Sequence, residues 1–122
     1  MIKINNLIIK KCLECGSTIR VLNDGDNISC CNKEMTLLNP NYEENNLHVP
    51  NLVKKDRLLY ITMDHVMEED HYITNIYIMR DNEVIEYNFK PEDEIAFAFP
   101  YSDDLKVYAL CNKHGLWEGV IK

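Results

Sequence analysis

Residues 72–89 read YITNIYIMRDNEVIEYNF, and this stretch indicates the fold class of the chain. Segments 72–80 and 84–89 are rich in Ile, Tyr and Val, and the polar Asp81-Asn82-Glu83 between them is typical of a hairpin turn. Four more strand candidates follow the spacing of about 8–12 residues that is typical of β-sandwiches: 58–62, 95–99, 105–110 and 116–121. In 95–99, Ile95, Phe97 and Phe99 alternate with alanines, which predicts one core-facing side. We therefore predict an all-β sandwich.

The N-terminal part of the chain has a different character. Strand candidates at 18–22 and 27–30 flank the turn sequence Asn23-Asp24-Gly25, but too few apolar residues surround them to build a core. A module this small usually needs a metal or a partner chain to fold. A polar stretch that begins at Asn39-Pro40 is predicted to be a linker. The predicted organisation is a domain at 1–38, a linker at 39–47 and a second domain at 48–122.

Composition and charge exclude several classes of protein. The hydrophobic share of 46% and the charged share of 27% are ordinary for a soluble globular protein, and no apolar run approaches the roughly 20 residues that span a bilayer. Leu7-Ile8-Ile9 is too short for a secretion signal, so we expect a cytoplasmic protein with no membrane partner. The net charge of −7 and the lack of a Lys/Arg cluster argue against nucleic acid as a partner.

Four cysteines near the N-terminus predict a closed metal site: Cys12, Cys15, Cys30 and Cys31. The chain has five cysteines in all, and an odd number in a reducing cytosol favours metal ligands over disulfides. Four thiolates complete a tetrahedron around zinc or iron. Because consecutive side chains of a strand point to opposite faces, the backbone must bend at Cys30-Cys31, and we expect a distorted tetrahedron. A closed site has no coordination position for a substrate, so its possible roles are folding or, with iron, electron transfer.

The remaining cysteine and the four histidines predict a second site, made of His48, His65, His71, Cys111 and His114. Cys111-x-x-His114 is a tight chelating loop, and residues 68–70 must double back if His65 and His71 bind one ion. Five donors exceed the four of structural zinc and suit iron. Such a set leaves a sixth position open opposite an electron-donating thiolate.

These motifs together resemble the desulfoferrodoxin-type superoxide reductases over nearly the whole chain. The matching stretches are Cys12-Leu13-Glu14-Cys15-Gly16, Cys30-Cys31 with Met35, His48-Val49-Pro50, His65 to Ile73, and Cys111-Asn112-Lys113-His114-Gly115-Leu116-Trp117. The resemblance implies a desulforedoxin-like domain with an Fe(Cys)4 centre, for which zinc is an alternative, and an immunoglobulin-like sandwich with an Fe(His)4Cys centre. It also implies one-electron reduction of superoxide to hydrogen peroxide at the second iron, a rubredoxin-like electron donor and a homodimer.

One pair of residues departs from the family pattern. The family commonly has Glu-Lys directly before the first histidine, where this chain has Asn46 and Leu47. Lys113 is the candidate replacement for the missing lysine, although a solvated surface role is the alternative; Lys54 and Lys55 are weaker candidates. Glu43 and Glu44 could replace the carboxylate. Trp117 and Tyr72, which lie near ligands, are predicted to pack beside the site.

Two other functions remain open at this stage. One is an iron electron-transfer protein that does not turn over a substrate, and the other is a binding module stabilised by zinc. An open coordination position separates the first alternative from the enzyme, and the identity of the bound metal separates the second.

Overall fold

The computed structural model describes residues 7–23, 25 and 27–122 of the chain. All regular secondary structure in these residues is β-strand, which confirms the predicted all-β class. The described residues form two compact units, 7–39 and Pro40–Lys122. Residues 1–6 of the predicted first domain and Asp24 of its predicted turn lie outside the described residues. In the described part, no helix is long and apolar enough to cross a membrane.

The N-terminal unit contains short strands with little core between them. Its strands are β1 (Ile9–Lys11), β2 (Thr18–Arg20), β3 (Ser29–Cys30), β4 (Lys33–Glu34) and β5 (Thr36–Leu38). In one antiparallel sheet β1 lies between β2 and β5, and β3 pairs with β4 as a separate hairpin. The predicted strands at 18–22 and 27–30 are thus present as β2 and β3, but they do not pair with each other. The buried apolar side chains are Ile9, Cys12, Val21 and Met35.

The second unit is a sandwich of two antiparallel sheets. Its strands are β6 (Asn51–Lys55), β7 (Leu58–Thr62), β8 (Ile73–Arg80), β9 (Glu83–Asn88), β10 (Ala96–Pro100), β11 (Lys106–Cys111) and β12 (Gly115–Glu118). One sheet has the order β10-β7-β6 and the other the order β12-β11-β8-β9. The predicted hairpin is confirmed, because Arg80 pairs with Glu83 across a tight turn in which Asp81 has a positive φ of 46°.

The core of this unit lies between the two sheets. Leu59 and Ile61 from one sheet and Ile76, Ile78 and Val107 from the other are fully buried. Ile95 and Phe99 are also buried in this core and Phe97 packs against it, as their alternation predicts. Burial of side chains from both sheets against one another holds a sandwich together.

Two features of this unit differ from the sequence predictions. Strand β6 was not predicted, because Leu52 is its only buried residue and the strand has no alternating apolar pattern. The polar segment predicted as a linker is bound to the sandwich from Asn41 onward. The Asn41 N–H donates to the Leu116 carbonyl (2.8 Å), and the Glu118 N–H donates to the Asn41 carbonyl (2.8 Å). These bonds fix the chain that leads to His48.

One end of the sandwich gathers the second set of candidate ligands. Cys111 is the last residue of β11, where it pairs with Gly115 at the start of β12 and with Ile73 at the start of β8. His114 lies in the β11–β12 turn and His71 lies two residues before β8, so the strand pairing brings both to the same end.

Candidate metal centres

The four N-terminal cysteines converge through two tight turns. Cys30 ends β3, and the Cys31-Asn32 turn has φ values of 54° and 62°, the pair of positive angles that defines a type I′ hairpin turn. This is the backbone bend that two adjacent cysteine ligands require. Cys12 and Cys15 lie on a second turn, in which the Gly16 N–H donates to the Cys12 carbonyl (2.8 Å) and Gly16 adopts a φ of 83°.

The sulfur positions match a tetrahedral site. All four Sγ atoms lie within 4.8 Å of one another, with 3.5 Å between Cys15 and Cys30 and 3.9 Å between Cys30 and Cys31. Four sulfurs at the usual metal–sulfur distance of about 2.3 Å would be about 3.8 Å apart. Cys12 is buried and the other three are partly or fully exposed, so the site lies at the surface of its unit. The donors therefore fit zinc or iron.

Without a metal, Cys15 ionises more readily than Cys30 and Cys31. Hydrogen bonds from Ser17, and then from neighbouring thiols, lower the pKa of Cys15 to about 6. Hydrogen bonds to Cys15 and Cys12 raise the pKa of Cys30 to about 12, and the same two contacts raise the pKa of Cys31. A bound cation would remove this competition for protons, so metal binding should release protons.

The second centre is a ring of four imidazoles. Successive ring centroids are 4.6 Å apart for His48 and His65, 4.7 Å for His65 and His71, 4.8 Å for His71 and His114, and 4.8 Å for His114 and His48. The diagonal from His48 to His71 is 6.2 Å. Four nearly equal sides with a longer diagonal describe a closed four-cornered ring around one point.

The nitrogen atoms of this ring are spaced as ligands of one ion. His114 Nδ1 lies 3.1 Å from His48 Nε2 and 3.1 Å from His71 Nε2. Two nitrogens bound at right angles to a metal at about 2.1 Å would be about 3.0 Å apart. The ligand atoms of His48, His65, His71 and Cys111 also lie within 4.8 Å of one another. The structure thus brings together all five residues that the sequence singled out.

The Cys111 sulfur lies on the core side of this ring. It is 3.7 Å from His65 Nε2 and 3.8 Å from His114 Nδ1, and these two imidazoles occupy opposite corners. These near-equal distances place the sulfur midway between two opposite imidazoles. Cys111 is 1% exposed and belongs to the hydrophobic core, whereas His48 and His71 are half-buried and His114 is exposed. The ring therefore has its thiolate on the inner side.

Local structure explains how Cys111 and His71 reach the ring. The pairing of β11 with β8 shifts between Leu110 and Cys111, and such a bulge redirects the side chains beside it. The predicted doubling back of residues 68–70 is confirmed, because Glu68 and His71 exchange backbone hydrogen bonds of 2.9 and 3.1 Å. Asn112 ties that loop to the chelating turn, since its side chain accepts from the Tyr72 N–H and donates to the Asp70 carbonyl.

Hydrogen bonds select the nitrogen that each of two histidines presents. His65 Nδ1 lies 2.6 Å from the Val66 carbonyl, and His48 Nδ1 lies 2.9 Å from Asn46 Oδ1. Both partners are acceptors, so each Nδ1 carries the proton and each Nε2 keeps its lone pair for a metal. The sequence did not reveal either partner. A backbone carbonyl has no sequence signal, and the only signal for Asn46 was its position two residues before His48.

Trp117 lies against the ring, as predicted, and makes two specific contacts. Its indole stacks on His48 with a centroid distance of 5.0 Å and an interplanar angle of 18°. Its Nε1–H donates to the His114 carbonyl at 2.8 Å. It thus holds a face of one ligand and the backbone of another. Tyr72 bonds to Asn112 through its backbone, and the predicted packing of its side chain beside the site stays a prediction.

Lys113 lies at the surface beside the centre. Its Nζ is 3.9 Å from Asp70 Oδ2, and the two side chains are 51% and 81% exposed. An exposed pair at this distance is weak. The geometry is that of the solvated alternative, and a role for Lys113 with a substrate stays a prediction.

Comparisons with known proteins agree with this description. The family model for desulfoferrodoxin matches residues 42–120. A desulfoferrodoxin homolog of Archaeoglobus fulgidus is 33% identical over 117 residues, covering 90% of this chain and 94% of that protein. A desulfoferrodoxin of Syntrophotalea carbinolica is 34% identical over 118 residues, covering 91% and 94%. A solved structure, the superoxide reductase from Treponema pallidum, superposes with a TM-score of 0.70 over 94% of this chain and 98% of that one. At 16% identity, that match supports the fold alone.

Proposed function

Since the chain belongs to the desulfoferrodoxin family, we propose that it is a superoxide reductase that converts superoxide to hydrogen peroxide at the centre made of four histidines and one cysteine. The observation that carries the proposal is the ring of four imidazoles with one buried cysteine sulfur equally close to two opposite imidazoles. A ferrous ion held by His48, His65, His71, His114 and Cys111 would supply one electron to superoxide, with the thiolate donating electron density to the metal.

The protein's own residues prepare this centre in two ways. The hydrogen bonds at Nδ1 of His48 and His65 fix the tautomer in which Nε2 is free, so these two imidazoles need no change of tautomer before they bind a metal. The core around Cys111 excludes water from the inner side, so the thiolate keeps its electron density for the metal rather than for hydrogen bonds with solvent. Both features favour the binding of a metal ion that receives electron density from the thiolate.

The open side of the ring distinguishes this centre from the four-cysteine centre. Five protein donors leave one position of an octahedron unfilled, and the partial exposure of the imidazoles supports access for a small anion. The four sulfurs of the other site complete a tetrahedron, so we assign it folding or electron relay, with iron or zinc as the ion. We further propose a cytoplasmic homodimer that receives electrons from a rubredoxin-like donor.

Binding of a small anion tests the open position. Azide or cyanide is added to the oxidised, iron-loaded protein while the thiolate-to-iron absorption is recorded. We expect a saturable change at the second centre. A spectrum that stays unchanged at high anion concentration would favour an iron protein that only transfers electrons.

The identity of the metal is tested separately. The protein is purified without added zinc and its metals are measured. Two irons per chain support the proposal, whereas zinc at both sites would favour a binding module stabilised by metal.

A further inference from the structure

Asn46 makes a pair of hydrogen bonds to the first histidine of the ring. Its Oδ1 accepts from the His48 backbone N–H at 2.8 Å and lies 2.9 Å from His48 Nδ1. One acceptor therefore fixes both the backbone and the imidazole of His48. An Nδ1 that donates to Oδ1 leaves Nε2 deprotonated, and Nε2 is the atom that lies 3.1 Å from Nδ1 of the neighbouring ring member His114.

Glu43 holds the Asn46 amide in the orientation that these bonds require. Asn46 Nδ2 donates to Glu43 Oε1 at 2.8 Å, and the Asn46 N–H donates to the Glu43 carbonyl at 3.0 Å. A carboxylate accepts but does not donate, so it selects the NH2 group of the amide and turns Oδ1 toward His48. The Val49 N–H closes the turn by donating to the Asn46 carbonyl at 3.0 Å.

These contacts form a chain from a surface carboxylate to a ring nitrogen. We infer that Asn46, oriented by Glu43, is a positioning residue that sets the tautomer and ring orientation of His48 for metal binding. The segment that carries Asn46 and His48 is otherwise bound to the sandwich at Asn41. A hydrogen bond within the segment is therefore needed to orient the His48 imidazole. The Trp117 stack also supports the His48 ring, but it restrains the plane of the imidazole and does not choose between its nitrogens.

The inference rests on the proposed metal centre, not on the reaction with superoxide. Its test is zinc binding to the full-length chain, with a competing chelator, at a pH above the ordinary histidine pKa of about 6.5. Long-range 1H–15N correlations of the imidazoles report the result. All four histidines of the chain belong to this centre, so these signals are independent of zinc at the four-cysteine site.

The expected result is a loss of zinc affinity on removal of the acceptor. Asn46→Ala should weaken zinc binding about 10- to 100-fold, the range found for partners of metal-bound histidines. In the metal-free protein, the His48 signals should move away from the Nδ1–H tautomer. Glu43→Ala should cause a smaller loss, and it should add nothing in the Asn46→Ala background, because it acts through Asn46.

Matched variants separate positioning from a general effect on the segment. Leu47→Ala and Glu44→Ala change neighbouring exposed side chains and should leave zinc affinity within about twofold of the parent. In the double variant Glu43→Gln with Asn46→Asp, position 43 carries the amide donor and position 46 carries the carboxylate acceptor. His48 therefore keeps an acceptor for its Nδ1–H. The double variant should restore most of the affinity lost in Asn46→Ala.

Two results would overturn the inference. One is a zinc affinity of Asn46→Ala within about twofold of the parent; the other is an equal loss in Leu47→Ala. Should Asn46→Ala fail to fold, the exposed Glu43→Ala variant and the double variant still test the same bonds. The parent protein could bind zinc through His48 and yet not react with superoxide when it is loaded with iron. That result would count against the proposed function and leave this inference intact.

Discussion

The metal-free ring should make the stability of the sandwich depend on pH. Burial, followed by the nearby imidazoles of His65, His114 and His71, lowers the pKa of His48 to about 4. Burial also lowers the pKa of His65, against the opposing effect of its bond to the Val66 carbonyl. His48 and His65 therefore resist protonation, so both remain neutral and available to a metal below the ordinary histidine pKa.

The direction and size of the effect follow from these values. Between pH 6.5 and about 4, the unfolded chain binds a proton at His48 that the folded chain does not, so stability falls as the pH falls through this window. The full difference would be worth about 3.4 kcal/mol, at about 1.36 kcal/mol per pH unit. Because solvent screens a partly exposed ring, we expect half of this, about 1.7 kcal/mol.

Urea denaturation of the metal-free protein from pH 7 to pH 4 measures this loss. Trp117 is the only tryptophan of the chain and lies in the sandwich, so its fluorescence follows that unit. His48→Gln is the control, because carboxylates titrate equally in both proteins and the difference isolates His48. The parent should lose more stability than the control. Equal losses, or a parent that gains stability as the pH falls, would refute the reasoning.

Three further changes have defined outcomes. Gly119→Ala should destabilise the sandwich by about 1–3 kcal/mol in thermal unfolding; the new Cβ would lie 2.6 Å from Leu52 Cδ1 in the core, and an unchanged Tm would contradict this. Leu47→Lys adds a cation at an exposed position beside His48, so the rate with superoxide should be higher than that of the parent. Added salt screens this charge and should remove the gain. The parent lacks this charge, so its rate should depend little on salt. A steep fall of the parent's rate with added salt would contradict the reasoning. Trp117→Phe should retain more zinc affinity in chelator competition than Trp117→Leu, since Phe can keep the stack on His48; equal losses would show that stacking contributes nothing.

The sequence predicted every strand of the sandwich except β6. Strand β7 was predicted with its observed bounds, Leu58–Thr62, because buried Leu59 and Ile61 alternate with exposed residues. Strand β6 exposes four of its five residues, so its sequence carries no such pattern. Backbone pairing with β7 creates this strand, and pairing is a property of the folded chain.

The candidate ligands were predictable because their chemistry limits the choice. Cysteine and histidine are few in this chain, and the structure gathers all nine into two clusters. The groups that orient the ligands were not predictable. Asn46, Asn112 and the Val66 carbonyl act through contacts that depend on how two loops meet, and asparagines and carbonyls are common throughout the sequence.

Segment 39–47 shows the same limit. A run of polar residues with a proline predicts a linker, and nothing local indicates that Asn41 binds the Leu116 backbone. The consequence is functional, because the bonds at Asn41 and at Asn46 determine where His48 lies.

The products of superoxide consumption test the central claim most directly. The reduced, iron-loaded protein is mixed with less superoxide than protein, and hydrogen peroxide, dioxygen and oxidised iron are measured together. The account predicts one hydrogen peroxide and one oxidised iron for each superoxide, with no dioxygen released. Dioxygen formed alongside hydrogen peroxide, or superoxide that decays no faster than in buffer, would contradict it.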